Sequence, residues 1–75
     1  MKYAVVFEKA PSNFAAYVPD LPGCVTTGKT LKETELNIRE AIAFHLEFLR
    51  EHNEPIPEAT STAALVEVDF PATRV

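Results

Sequence analysis

Residues 30–53, TLKETELNIREAIAFHLEFLREHN, read as one amphipathic helix with both ends marked in the sequence. Thr30-Leu31-Lys32-Glu33 has the spacing of a capping box: the Thr30 hydroxyl accepts from the Glu33 N–H while the Glu33 carboxylate reaches back. The helix is expected to run to about His52. Asn53 suits a left-handed cap, Arg50 and His52 place cations at the negative end of the helix dipole, and Pro55 and Pro57 prevent continuation. At about 100° per residue, Leu31, Ile38, Ile42 and Leu49 form the central apolar stripe, flanked by His45 and Leu46. Ala41, Phe44 and Phe48 widen the apolar arc beyond what one sheet face covers.

Short strands lie upstream of this helix. Lys2 to Lys9 alternates Tyr3, Val5 and Phe7 with Ala4, Val6 and Glu8, and its β-branched and aromatic content suits a pleated surface. Ala10-Pro11-Ser12-Asn13 breaks the pattern, and Phe14 to Val18 returns as the second arm of a hairpin. In Pro19-Asp20-Leu21-Pro22-Gly23, Pro22 presets φ for the second position of a type II turn and Gly23 supplies the positive φ of the third. Cys24 to Thr27 is a third strand ended by Gly28. Downstream of an irregular connection over 53–62, Ala64 to Phe70 alternates Val66, Val68 and Phe70 with Leu65, Glu67 and Asp69 and reads as a fourth strand. Pro71 to Val75 is expected to fray. The order β-β-β-α-β makes a small α+β domain, its antiparallel or mixed sheet carrying one helix on a face.

With 75 residues, the chain has room for a single domain over residues 1–75. A domain of this size buries only about 60% of its unfolded surface, so association with another chain is a natural way to enlarge its core. Both the wide helix arc and Ala4 and Val6 on the far side of the sheet point the same way; the plainer reading of Phe44 and Phe48 is two separately exposed aromatics. Seven Lys and Arg against eleven Asp and Glu give a net charge of −4, which argues against a nucleic-acid binder and is compatible with a basic protein partner. The lone Cys24 allows no intrachain disulfide. The opening residues carry no signal peptide, and no apolar run approaches the length of a membrane span. Together these features point to the cytoplasm.

The sequence offers little chemistry. Gly23 and Gly28 stand singly in turn contexts rather than in a phosphate-binding loop. Cys24, His45 and His52 do not make a zinc ligand set; the two histidines read better as a core-edge and a cap-proximal residue. A Cys24–His45 thiolate pair is conceivable, but a cysteine just after a tight turn is more simply a small buried hydrophobe. Glu8, Asp20, Glu40, Glu47 and Asp69 are scattered, and the helix acids lie away from the core stripe. They read either as a solvated face or as an acidic docking strip. No catalytic residue, metal site or cofactor is therefore expected, and the chain is not expected to be an enzyme. Asp20 is expected simply to build its turn.

The run Ala16-Tyr17-Val18-Pro19-Asp20-Leu21-Pro22-Gly23-Cys24-Val25-Thr26 resembles the signature of the HicB-like antitoxin family of type II toxin–antitoxin systems. Thr30-Leu31-Lys32-Glu33, Asn37-Ile38-Arg39-Glu40-Ala41-Ile42 and Glu54-Pro55-Ile56-Pro57 are similar to the helix and following segment of that family. The resemblance spans roughly residues 2 to 70. It implies a partial ribonuclease-H-like fold, homo-oligomerisation as a dimer or tetramer, and a HicA-like toxin partner: a small basic protein, similar to a double-stranded-RNA-binding domain, that cleaves mRNA with a histidine. The antitoxin covers that site. Many members add a C-terminal DNA-binding domain, and none is expected within these residues. Pro11-Ser12-Asn13 replaces the family's acidic, Gly-rich turn, and Glu35-Leu36 reverses its usual apolar–polar order. The expected interface, with self or toxin, comprises Phe44, Phe48, Glu40 and Glu47. The competing readings are an orphan oligomeric domain with another partner and a cryptic metal-dependent nuclease.

Overall fold

The computed structural model describes residues 1–71 and contains, in order, β1 (Val6–Lys9), β2 (Phe14–Tyr17), β3 (Val25–Gly28) and α1 (Leu31–Glu51). The strands form one antiparallel sheet in the order β1-β2-β3. Phe7 faces Ala16 across the first pair and Ala16 faces Thr26 across the second, so these three residues share a face. That face meets α1. Val6, Tyr17 and Val25 form the corresponding row on the opposite face, where Tyr17 and Val25 are exposed, so the far side of the sheet is indeed partly apolar.

Two successive turns set the core. Leu21 N–H donates to the Val18 carbonyl at 3.0 Å, and Cys24 N–H donates to the Leu21 carbonyl at 3.0 Å. Pro22 and Gly23 occupy the middle of the second turn, with Gly23 at φ 84°, where a side chain is strained. The result drives Leu21 into full burial beside Ala16, Val18, Cys24 and Ile38, with Tyr3, Val5, Ala41, Ile42 and Leu46 packed around them.

The helix ends follow the sequence closely. Thr30 Oγ1 accepts from Glu33 N–H at 3.0 Å, while the Glu33 carboxylate reaches one residue further back than expected, accepting from Lys29 N–H at 2.6 Å. At the other end, Asn53 adopts φ 56°. Asn53 N–H donates to the Arg50 carbonyl and Glu54 N–H to the Leu49 carbonyl, the paired bonds of a Schellman motif.

The core face of α1 is shifted from the expected stripe. Leu31 is half exposed, whereas Thr34 is fully buried. Thr34 is tolerated there because its hydroxyl donates to the Thr30 carbonyl at 2.7 Å. Gly28 makes the shift possible: a Cβ at that position would stand 2.5 Å from Thr34 Oγ1 and 2.8 Å from its backbone nitrogen. Bare backbone thus lets β3 approach the first turns of α1, and Asn37 adds a hydrogen bond to the Thr27 carbonyl at 2.9 Å.

Two strand expectations need correction. The first strand begins at Val6 rather than Lys2, because β2 ends where Val6 pairs with Tyr17 and the chain then turns at Pro19, which has no N–H to offer. Ala64 to Phe70 is not a strand in this structure. It is exposed and without regular secondary structure, with no ladder among the described residues, and its backbone hydrogen bond is local, from Phe70 N–H to the Val68 carbonyl. Alternation gave it two faces, but a strand also needs a neighbouring edge. The expected frayed tail lies outside the described residues beyond Pro71.

Candidate functional site

Glu40, Phe44, Glu47 and Phe48 are brought together on one side of α1 by their spacings of three and four. Phe44 is 76% exposed and Phe48 49%, more than a folded core would leave uncovered. The Phe48 ring stacks on His52 with centroids 4.0 Å apart, and His52 Nδ1 lies 2.8 Å from the Phe48 carbonyl. Arg50 donates to both oxygens of Glu47, at 2.6 and 2.8 Å. Glu40 makes no such pair among the described residues. The flank is therefore an aromatic pair fringed by carboxylates, one of them partly neutralised. Leu36, also turned outward, is 55% exposed.

The opposite flank of α1 is built differently. α1 packs over β2 and β3, leaving the helix-facing side of β1 uncovered. A trough of about 540 Å³ results, lined by Tyr3, Val5 and Phe7 on one wall and Ile38, Ile42 and Leu46 on the other. Lys2, Glu35 and Arg39 lie at its rim, the last two joined by an ion pair of 3.2 Å. Such an exposed pair contributes little stability.

Asp20 does more than build a turn. Its carboxylate accepts from the Ser61 N–H at 2.8 Å, the Ser61 hydroxyl at 2.8 Å and the Thr60 hydroxyl at 3.3 Å. The Ser61 amide first, and then the hydroxyls, hold Asp20 below its ordinary carboxylate range. Tyr3 Oη donates to the Pro57 carbonyl at 2.5 Å. These two ties fix the path of the chain after the helix. No local signal announces them, since Asp20 and Ser61 are 41 residues apart.

Cys24 is the small buried hydrophobe expected, and burial pushes its thiol pKa up, away from reactive thiolate. His45 is half-buried at the core edge and His52 lies at the helix end. Among the described residues, no three His, Cys, Asp or Glu side chains converge as metal ligands. No helix among them is long and apolar enough to cross a membrane.

A family model described as the HicB_like antitoxin of a bacterial toxin-antitoxin system matches residues 3–71. The chain belongs to the HicB-like antitoxin family. UPF0150 protein Ta0767 of Thermoplasma acidophilum is 50% identical over 58 residues, covering 76% of this chain and 84% of that protein. A 14.9 kDa protein of the rep-hol intergenic region of Haemophilus phage HP1 is 42% identical over 79% of this chain, which spans only 44% of the phage protein. The crystal structure of TTHA0281 from Thermus thermophilus superposes with a TM-score of 0.68 at 33% identity, over 89% of this chain and 80% of that one. The HicB-like match takes in all four elements and both ties of the connection to Asp20 and Tyr3.

Proposed function

We propose that this chain is the protein-binding half of a toxin–antitoxin pair, neutralising a small basic HicA-type mRNA-cleaving toxin by covering its active site. The observation that carries the reading is the HicB-like family match over residues 3–71. The net charge of −4 and the exposed Phe44–Phe48 pair beside Glu40 and Glu47 support it physically. Long-range attraction speeds docking to a basic surface, and desolvated aromatics then hold the complex. In this reading residues 1–75 act as one HicB-like domain, as a homo-oligomer and without catalysis or cofactor, in the cytoplasm where mRNA is found. The partial ribonuclease-H-like arrangement belongs to the same reading, and it requires a fourth strand beside the three described.

The test is titration of the full chain into an RNA-cleavage assay containing a small basic HicA-type toxin encoded beside it. Cleavage should fall to background at a fixed stoichiometry, and Phe44→Ser with Phe48→Ser should weaken inhibition at least tenfold without loss of helix signal. Undiminished cleavage in the presence of folded protein would refute the antitoxin role. Full inhibition by the double variant would move the interface elsewhere.

A further inference from the structure

We propose that residues 63–70 form an exchange arm, which adds to the free edge of β1 in a second copy of this chain and seats Val66, Val68 and Phe70 in that copy's trough. The inference deepens the homo-oligomer part of the reading above and needs no toxin.

Four observations on one chain converge on this. The segment has no regular secondary structure, and Val66, Val68 and Phe70 are 79%, 71% and 79% exposed, an unfavourable state for three large apolar side chains that alternate in sequence. The sheet order leaves β1 as an edge, and Lys2 to Val5 continue it with no backbone ladder among the described residues. Beside that edge lies the apolar trough between Tyr3, Val5, Phe7 and the helix, and no arm residue lines it. The arm leaves the body beside Val5, Val6 and Phe7, guided there by the Ser61–Asp20 tie. Donor segment and acceptor groove thus coexist on each chain, without being joined to one another.

A second copy fits both requirements. An added strand satisfies the unpaired groups of β1 and of the arm together. Its period of two turns Val66, Val68 and Phe70 to the trough while Glu67 and Asp69 face outward to solvent. Reciprocal exchange closes with twofold symmetry, so neither arm is left over. The overall shape agrees. The radius of gyration is 15.4 Å, against about 11 Å for a compact chain of this length. The longest dimension is 54 Å, whereas a helix of 21 residues accounts for only about 32 Å.

The test uses light scattering on the full chain and two full-length variants, with circular dichroism checking that the helix persists. The arm variant carries Val66→Asp, Val68→Asp and Phe70→Asp, all at exposed positions. The groove variant carries Arg39→Glu and Ala43→Glu, also exposed. The unaltered chain should have twice the 8.3 kDa chain mass, or an even multiple of it. Each variant alone should show at least a twofold lower mass, and an equimolar mixture should recover a two-chain species, because one arm and one groove remain intact between them. An arm variant that keeps the full mass overturns exchange while leaving oligomerisation standing, and a mixture that stays monomeric also overturns it. A monomeric unaltered chain overturns both exchange and oligomerisation, without touching toxin binding.

Discussion

The first strand and the C-terminal arm are written in nearly the same pattern and meet opposite fates. Tyr3, Val5 and Phe7 alternate with Ala4, Val6 and Glu8; Val66, Val68 and Phe70 alternate with Leu65, Glu67 and Asp69. β1 pairs with β2 through a four-residue connection, 10–13, in which Ala10 N–H donates to the Asn13 carbonyl at 2.8 Å. The arm follows a long helix and an irregular run, and pairs with no strand of its own chain among the described residues. Period-two alternation specifies which side chains share a face. It leaves open which edge the strand will meet, and that edge is supplied either by a tight turn or by another molecule.

The largest effect should come from the part of the body that depends on no second chain. Leu21→Ala empties a fully buried site between two turns and should cost about 2–5 kcal/mol in urea unfolding. A loss as small as that of a surface substitution would mean the double turn is not what anchors the sheet. Next in size is Gly28→Ala, whose Cβ meets Thr34 backbone atoms within 3 Å. Here β3 or α1 must move, at about 1–3 kcal/mol, and a thermal melt compared with that of Gly23→Ala separates crowding from the strain of positive φ.

A matched pair then sharpens the contrast between the two alternating segments. In dilute solution, where chains are single, Val5→Ala should cost about 1–2 kcal/mol for its lost methyl groups. Val66→Ala should stay within about 0.5 kcal/mol, as for an exposed site. Equal losses in both would show that the arm already packs on its own chain.

The smallest effect concerns where the arm begins. The folded-state pKa of Asp20 is lowered, so the tie to Ser61 contributes stability above the unfolded aspartate value of about 3.9 and loses it as pH falls through the lower folded value. The Ser61 amide resonance should therefore shift with a midpoint below that of a free aspartate. Asp20→Asn should abolish the shift and speed proteolysis near Thr60 at neutral pH. A midpoint at the ordinary value would show that the tie does not hold in solution.

What can be read from sequence alone is local. Pro22-Gly23, the Thr30–Glu33 box and Asn53 each act within a few residues, and each appears in the structure in its expected role, save that the Glu33 carboxylate accepts from Lys29 N–H rather than from that of Thr30. Ile38, Ile42 and Leu46 are legible on the core side of the helix by period alone. Thr34 is not, because its burial depends on a glycine in the preceding strand, which pattern reading assigns only to a turn. Asp20 and Ser61 meet across 41 residues, and nothing in either neighbourhood marks the other. Phe44 and Phe48 can be placed on an exposed flank because helical position fixes direction. Ala64 to Phe70 departs from its sequence reading for the complementary reason, its alternation specifying two faces but pairing with no edge among the described residues.

Hydrogen exchange at two protein concentrations puts the contrast between β1 and the arm to its most direct test. Ladder amides within 6–9 should be protected at both concentrations, since β2 pairs with them in every chain. Amides within 66–70 should be protected only at the higher concentration, where two chains meet, and should exchange freely on dilution. Arm amides that stay unprotected at every concentration, or stay protected in the single chain, would contradict the account.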